Sequence, residues 1–304
     1  MAEIRAIIDT DPGIDDAVAI LFALKSGLFD IRGITTVAGN LGIETTTRNA
    51  GRILALAGRV DIPVIPGAER ALSRKGPSSI DVHGDDGLGG VRFPEPDAPP
   101  LARDATSWMT ELLTAEPAGT IDILALGPLT NIARLTRQTP DAARRMRRLI
   151  AMGGAVDEPG NVGPRAEFNI AADPEAAGIV LSAGLPLTLI PLDVTRKVRA
   201  DLAWCAELET AGPAGAAAAA ALVKAYFQST QGKESRPLHD PCVMLLAARP
   251  DLFSCRNMPL AVDTDDGPDR GALTRDPSRP ETQVAMGVQA GEVLALLAQG
   301  LTAG

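Results

Sequence analysis

Aromatic side chains are scarce, only 3% of the 304 residues, so the core has to be built from Ala, Val, Leu and Ile. Cysteine is scarcer still. Cys205, Cys242 and Cys255 are odd in number and form no CxxC pair, which excludes a disulfide framework or a thiolate zinc site. Free thiols fit a reducing, cytoplasmic setting. Positive charge is in deficit: the formal net charge is -9 and the pI about 4.9. A phosphate-backbone partner needs clustered Lys and Arg, so no nucleic-acid partner is expected. The one basic cluster, Arg144, Arg145, Arg147 and Arg148, falls where a helix should end, and the helix dipole favours cations there. No apolar run approaches the ~20 residues that cross a bilayer. The start, MAEIRAIIDTDPG, has no basic segment followed by a long apolar one, so neither a membrane nor a secretory leader is expected. Internal repeats and low-complexity linkers are also missing.

What is present is ordinary for a globular chain: 45% hydrophobic and 22% charged residues promise a large core. Short apolar runs occupy 4–9, 31–39, 62–67, 120–127, 147–154 and 186–194. They are nearly continuous in apolar character, as in strands buried on both faces of a parallel sheet. Helical stretches lie between them. DDAVAILFALKSG opens with acid and closes on Gly27, TTTRNAGRILALAG closes on Gly58, LTNIARLTRQT precedes Pro140, and DPEAAGIVLSAG opens with Asp173-Pro174; these are helix end signals. The Ala216–Ala221 run, beside Lys224 and Tyr226, reads as a soluble helix. The βα alternation predicts an α/β fold: an open, mostly parallel, doubly wound (Rossmann-like) sheet flanked by helices, one large domain over 1–304. Two long irregular stretches, roughly 67–103 and 154–172, are rich in Gly, Pro and charge, and loops of that length are usually functional.

The first strand runs into Asp9, Thr10, Asp11, Pro12, Gly13, Ile14, Asp15 and Asp16. Four carboxylates so close repel one another unless a positive charge sits among them. Pro12-Gly13 turns the chain at the strand's carboxyl end, and Asp15 and Asp16 open a helix. Plain helix capping explains one or two Asp but not four. Hard oxygen donors without His or Cys favour calcium or magnesium over zinc. The spacing is not an EF-hand. A haloacid dehalogenase-type phosphatase also begins strand then Asp-x-Asp, but Pro12-Gly13-Ile14 does not match its continuation.

Ligands of open α/β sheets bind beyond the carboxyl ends of strands, and polar residues gather there: Asn40, the segment Leu126–Asn131, then Asn161, Glu167 and Asn169, Asp193, and finally His239-Asp240-Pro241 ahead of an apolar helix. Only His83 and His239 exist. His83 sits in VHGDDGLGG, where an exposed role is the plainer reading; His239, with an acidic neighbour at a helix start, points to function.

With these pieces placed, the chain resembles the inosine-uridine preferring nucleoside hydrolase family over nearly its whole length. DTDPGIDDAVAI (9–20), VAGN (37–40), HGDDGLGG (83–90), LGPLTNIA (126–133), MGG (152–154), EFNIAADPEAA (167–177), PLDVT (191–195) and HDP (239–241) fall in that family's order and spacing. The resemblance implies a calcium ion held by Asp11, Asp16, Asp240 and the backbone carbonyl of Leu126. It implies a ribose grip from Asp15, Asn40, Asn161, Glu167 and Asn169, with Asp11 as general base and His239 as proton donor to the leaving base. Thr, common in the family at the position of Leu126, is absent, which matters little for a backbone ligand. His83, Phe168, Tyr226 and Arg236 are expected around the base. Purine specialists of the family sandwich the base between tryptophans; Trp108 and Trp204 lie in no matching motif, which favours the His-bearing branch. The implied activity is hydrolysis of the N-glycosidic bond of ribonucleosides, in salvage, by a homodimer or homotetramer. Two other readings stay open: a relative acting on a modified ribosyl compound, and a non-catalytic nucleoside-binding protein.

Overall fold

All six apolar runs enter one sheet. In the computed structural model, which describes residues 3–73, 76, 86–229 and 235–303, they form β1 (Ile4–Thr10), β2 (Phe29–Thr36), β3 (Val64–Pro66), β4 (Asp122–Ala125), β5 (Arg148–Met152) and β6 (Leu187–Ile190). Further along come β7 (Arg199–Asp201), β8 (Ser235–Pro237), β9 (Phe253–Val262), β10 (Leu273–Arg275) and β11 (Glu281–Val288). The main sheet has nine strands in the order β10-β9-β11-β6-β5-β4-β1-β2-β3, while β7 and β8 make a separate antiparallel ribbon. From β3 to β11 every pairing is parallel; β9 and β10 extend the edge antiparallel.

Neighbouring residues of each inner strand go to opposite faces, and both faces are covered, which is why the runs lack polar alternation. Ile8, Leu124, Ile150 and Ile190 join one core with helices Ile14–Lys25, Pro241–Ala248 and Ala290–Thr302; Ile7, Ile123, Leu149 and Leu189 join the other with Ala105–Ala115, Thr130–Gln138 and Pro174–Ser182. The order 3-2-1-4-5-6 reverses direction at β1, which pairs with both β2 and β4. Crossovers leave opposite faces there, so a crevice opens beyond the carboxyl ends of β1 and β4.

Helix ends follow their local signals. Asp173 accepts from the Ala176 N–H at 3.1 Å, with Pro174 in the first turn, and Gly58 closes helix Ile43–Ala57 at φ +69°. The last expected run is shorter than the pattern suggested. Pro191 has no N–H for the ladder, so β6 stops at Ile190 and Leu192–Thr195 turns as a helix.

The basic cluster also departs from expectation. Arg145 does serve a helix end, donating to the carbonyls of Leu113 and Glu116, but the helix is Ala105–Ala115. Arg147 and Arg148 instead grip the fully buried Asp122 carboxylate at 2.6 and 2.9 Å. A buried charge must be paired, and this pairing ties β4 to β5 at the end of the sheet away from the crevice. Asp122→Ala should therefore cost ~3 kcal/mol in a urea titration. A loss below ~1 kcal/mol would match an exposed pair instead and rule out the brace.

Candidate active site

Beyond the crevice lies a cavity of about 440 Å³. Asp15, Asn40, Leu126, Asn161, Glu167, Phe168, Asn169, Tyr226, Arg236, His239 and Asp240 all line it, joined by Met152 of the MGG run and by Arg196 and Arg199, which the pattern had not suggested. Asp11 and Asp16 lie beneath its floor, 1% and 0% exposed. His83 lies outside the described residues. Among the described residues neither tryptophan lines the cavity; Trp108 packs against Gly33 of β2 instead.

The floor is a set of carboxylates built by the turn after β1. Gly13 caps helix Ile14–Lys25, and its N–H donates to Asp16 Oδ2 at 2.9 Å. Thr10 donates its hydroxyl to Asp16 Oδ1 at 2.6 Å. Asp16 thus does cap the helix, as the bland reading holds, yet it also faces acid: oxygens of Asp15, Asp16 and Asp240 lie within 4.8 Å of one another. Asp240, at the start of helix Pro241–Ala248, gives its backbone N–H to Asp15 Oδ2 at 3.4 Å. Sequence reasoning put Asp11 rather than Asp15 in the metal set. Asp15 is in the compact triad, while Asp11 sits beside it with Oδ2 accepting from the Asn40 N–H at 2.7 Å and Oδ1 buried with no partner among the described residues.

Burial first, then the neighbouring Asp16, pushes the Asp11 carboxyl well above its usual range. Asp240 is pushed the same way by burial and by Asp15, Asp16 and Asp11. Such a cluster is relieved by protons or by a cation. The orphaned Asp11 oxygen and the all-oxygen donor set fit a hard divalent cation. Gly39 and Gly127 hold Asp11 between two backbones, and a Cβ on either would run into its carboxylate.

The remaining polar groups are held by backbone. Glu167 caps helix Phe168–Ala172, accepting from the N–H groups of Asn169, Ile170 and Gly154 at 3.0, 3.2 and 2.9 Å; burial raises its pKa. Asn169 Nδ2 donates to the Leu126 carbonyl at 2.6 Å and to Met152 O at 3.2 Å, joining the ends of β4 and β5. Asn161 Oδ1 accepts from the Phe168 N–H at 2.9 Å. Asn40 is more a holder of carboxylates than a free arm: its Nδ2 reaches Asp11 O at 3.2 Å and Asp16 Oδ2 at 3.3 Å. His239 Nδ1 bonds the buried Thr195 hydroxyl at 2.7 Å, which fixes the ring from the turn after β6. Asp193, expected near the site, braces the loop instead by accepting from the N–H groups of Val156 and Asp157. Asn131 likewise braces, bonding Asp9 and Thr36.

The inosine-uridine preferring nucleoside hydrolase family matches residues 6–295. The chain belongs to that family. It is 40% identical to a non-specific ribonucleoside hydrolase of Klebsiella pneumoniae over 260 residues, covering 85% of this chain and 83% of that one. It is 39% identical to a pyrimidine-specific ribonucleoside hydrolase of Photobacterium profundum over 262 residues, 85% and 84% of the two chains. A solved plant nucleoside hydrolase superposes with TM-score 0.93 at 33% identity over the full length of both. The enzyme's fold is therefore that of its family.

The packing around Asp11 yields a direct test. Gly127→Ala should displace that carboxylate and weaken divalent-cation binding by about tenfold or more, the usual effect of disturbing a group that orients a ligand. Calorimetric titration of the purified protein with calcium is the measurement, and unchanged affinity would remove Asp11 from the cation's surroundings.

Proposed function

We propose that this enzyme is a calcium-dependent ribonucleoside hydrolase that releases free ribose and base, works in nucleoside salvage in the cytoplasm, and assembles as a homodimer or homotetramer. One observation carries the chemistry: the oxygens of Asp15, Asp16 and Asp240 meet within 4.8 Å on the floor of the cavity that His239 also lines. No helix of the described residues is long and apolar enough to cross a membrane.

Asp11, Asp16, Asp240 and the Leu126 carbonyl would hold the ion, with Asp15 adjoining. When bound, calcium offsets the carboxylate repulsion and lowers the pKa of nearby water. Asp15, Asn161, Glu167 and Asn169 grip the ribose hydroxyls, with Asn40 fixing Asp11 beside them. Asp11 takes a proton from the attacking water as its oxygen bonds to the anomeric carbon. The C–N bond breaks through an oxocarbenium-like state, and the electron pair leaves with the base. The floor's negative charge favours the developing cation. His239, oriented by Thr195, delivers a proton to the departing base.

A reducing-sugar assay over inosine, uridine, cytidine, adenosine and guanosine, with and without chelator, tests this reading. Ribose should appear from at least one nucleoside and its release should collapse when calcium is removed. Full activity in chelator would end the calcium assignment, and no ribose from any nucleoside would end the hydrolase assignment. His239→Ala should lower kcat by ~100-fold or more, within the usual worth of a general acid; an unaltered kcat would move proton delivery elsewhere.

A further inference from the structure

The loop after β5 carries Asn161 to the cavity, yet little of that loop is buried. Asp157, Glu158, Pro159 and Asn161 are all exposed, so apolar packing does not hold this stretch. Its own bonds are local. The Asn161 N–H donates to Ala166 O and the Gly160 N–H to Pro164 O, both at 3.0 Å, and Asn161 Oδ1 is taken by the Phe168 N–H. Arg275 meets Asp157 from β10 at 2.8 Å, but both side chains are more than half exposed, and such pairs contribute little.

Arg196 ties the loop to the sheet. Its Nη1 donates to Pro159 O at 2.7 Å and its Nη2 to Gly160 O at 2.9 Å, with Glu158 Oε2 at 3.3 Å from Nη1. The Gly160 carbonyl shares a peptide plane with the Asn161 N–H. That plane is gripped by Arg196 on one side and by Ala166 O on the other. Two donors of one rigid guanidinium fix direction as well as distance. Arg196 directly follows the short helix Leu192–Thr195. Within that helix Asp193, 3% exposed, accepts from the N–H groups of Val156 and Asp157 at 2.9 and 2.8 Å, and Thr195 bonds His239. One turn after β6 thus sets the loop at two points and the imidazole at a third.

We propose that Arg196 is a positioning residue: by holding the Pro159 and Gly160 carbonyls it sets the place of Asn161 against the ribose. This rests on the hydrolase reading above, in which Asn161 grips a sugar hydroxyl. With Oδ1 engaged, Asn161 meets that hydroxyl through its Nδ2 hydrogens, whose direction follows the peptide that carries them. Arg196 acts through Asn161 rather than on the substrate.

The test is kcat/KM, on whichever of the five nucleosides above is cleaved fastest, for the wild type, Asn161→Ala, Arg196→Met, Arg196→Lys and Asn161→Ala combined with Arg196→Met. Arg196→Met should lose about tenfold or more, since a misplaced binding group can cost ~100-fold. Asn161→Ala should lose at least as much, and both losses should divide between kcat and KM in the same way. In the Asn161→Ala background, Arg196→Met should cost less than about twofold further. Arg196→Lys keeps the charge but not the planar fork and should retain most of the loss. Losses that multiply in the double variant place the action of Arg196 elsewhere and overturn the proposal; a general loss of structure multiplies in the same way. Full activity in Arg196→Met, in Arg196→Lys or in Asn161→Ala overturns it as well. Should Arg196→Met not fold, Arg196→Lys takes its place in the cycle. Any of these outcomes with ribose still released sinks this inference alone, while no release from any nucleoside by the wild type sinks the hydrolase reading with it.

Discussion

Like charges forced together beneath the cavity set the terms for the rest of the molecule. With oxygens of three carboxylates inside 4.8 Å, each pair repels by roughly 3–4 kcal/mol at an effective dielectric of about 20. Three such pairs approach the ~5–15 kcal/mol that holds a whole domain folded. Helices Ile14–Lys25 and Pro241–Ala248 both begin beside the cluster, but a helix N-terminus contributes only about 0.3–1 kcal/mol to a nearby anion. The hydroxyl of Thr10 and the amides of Gly13 and Asn40 add a few bonds of similar size. These terms do not close the gap, so the floor calls for protons or a divalent cation.

That constraint explains why the fold converges where it does. Asp15 and Asp240 are 225 residues apart in the chain, and each sits at the start of a helix packed in the same core. Asp11 is pinned between the backbones of Gly39 and Gly127, the first after β2 and the second after β4. Thr195, in the turn after β6, reaches His239. Four strand ends therefore fix the floor and the His239 ring, and both cores support them. The outer wall is lighter. Arg199 and Arg236 ride on the β7–β8 ribbon, which is not part of the main sheet. A ribbon of three-residue strands can change its side chains without disturbing the carboxylates. Relatives that differ in the base breadth their names declare, one non-specific and one pyrimidine-specific, are what such a division of labour permits.

The floor was legible because it is nearly contiguous: Asp9–Asp16 announces itself at the end of an apolar strand, and six of the sheet's strands follow from runs with no alternation. The antiparallel edge was not. In β9 a run of exposed residues separates Phe253 from Met258, so the apolar signal is interrupted where one face meets water. Thr195, Arg196 and Arg199 were missed because Pro191 ends β6 and the polar residues after it look like an ordinary exposed turn. Their partners, His239 for Thr195, Pro159 and Gly160 for Arg196, and Ser235 for Arg199, lie some forty residues away, and no local pattern encodes that. Arg147 and Arg148 were read as helix-end charges because the buried partner, Asp122, lies 25 residues upstream inside an apolar run. Which carboxylates of the turn come nearest to a residue brought in from position 240 is likewise not given by spacing alone.

The cavity holds groups of both signs: Asp15, Asp240 and Glu167 line it beside the buried Asp11 and Asp16, and Arg196, Arg199 and Arg236 line it as well. Glycosidic cleavage separates charge, leaving the sugar carbon positive and the base negative. A cavity that presents fixed negative groups to the sugar favours the charge that develops there, with no reorganisation required at the moment of bond breaking. A ground-state nucleoside carries neither charge, so these groups favour the transition state over bound substrate, which is the condition for raising turnover rather than merely tightening binding.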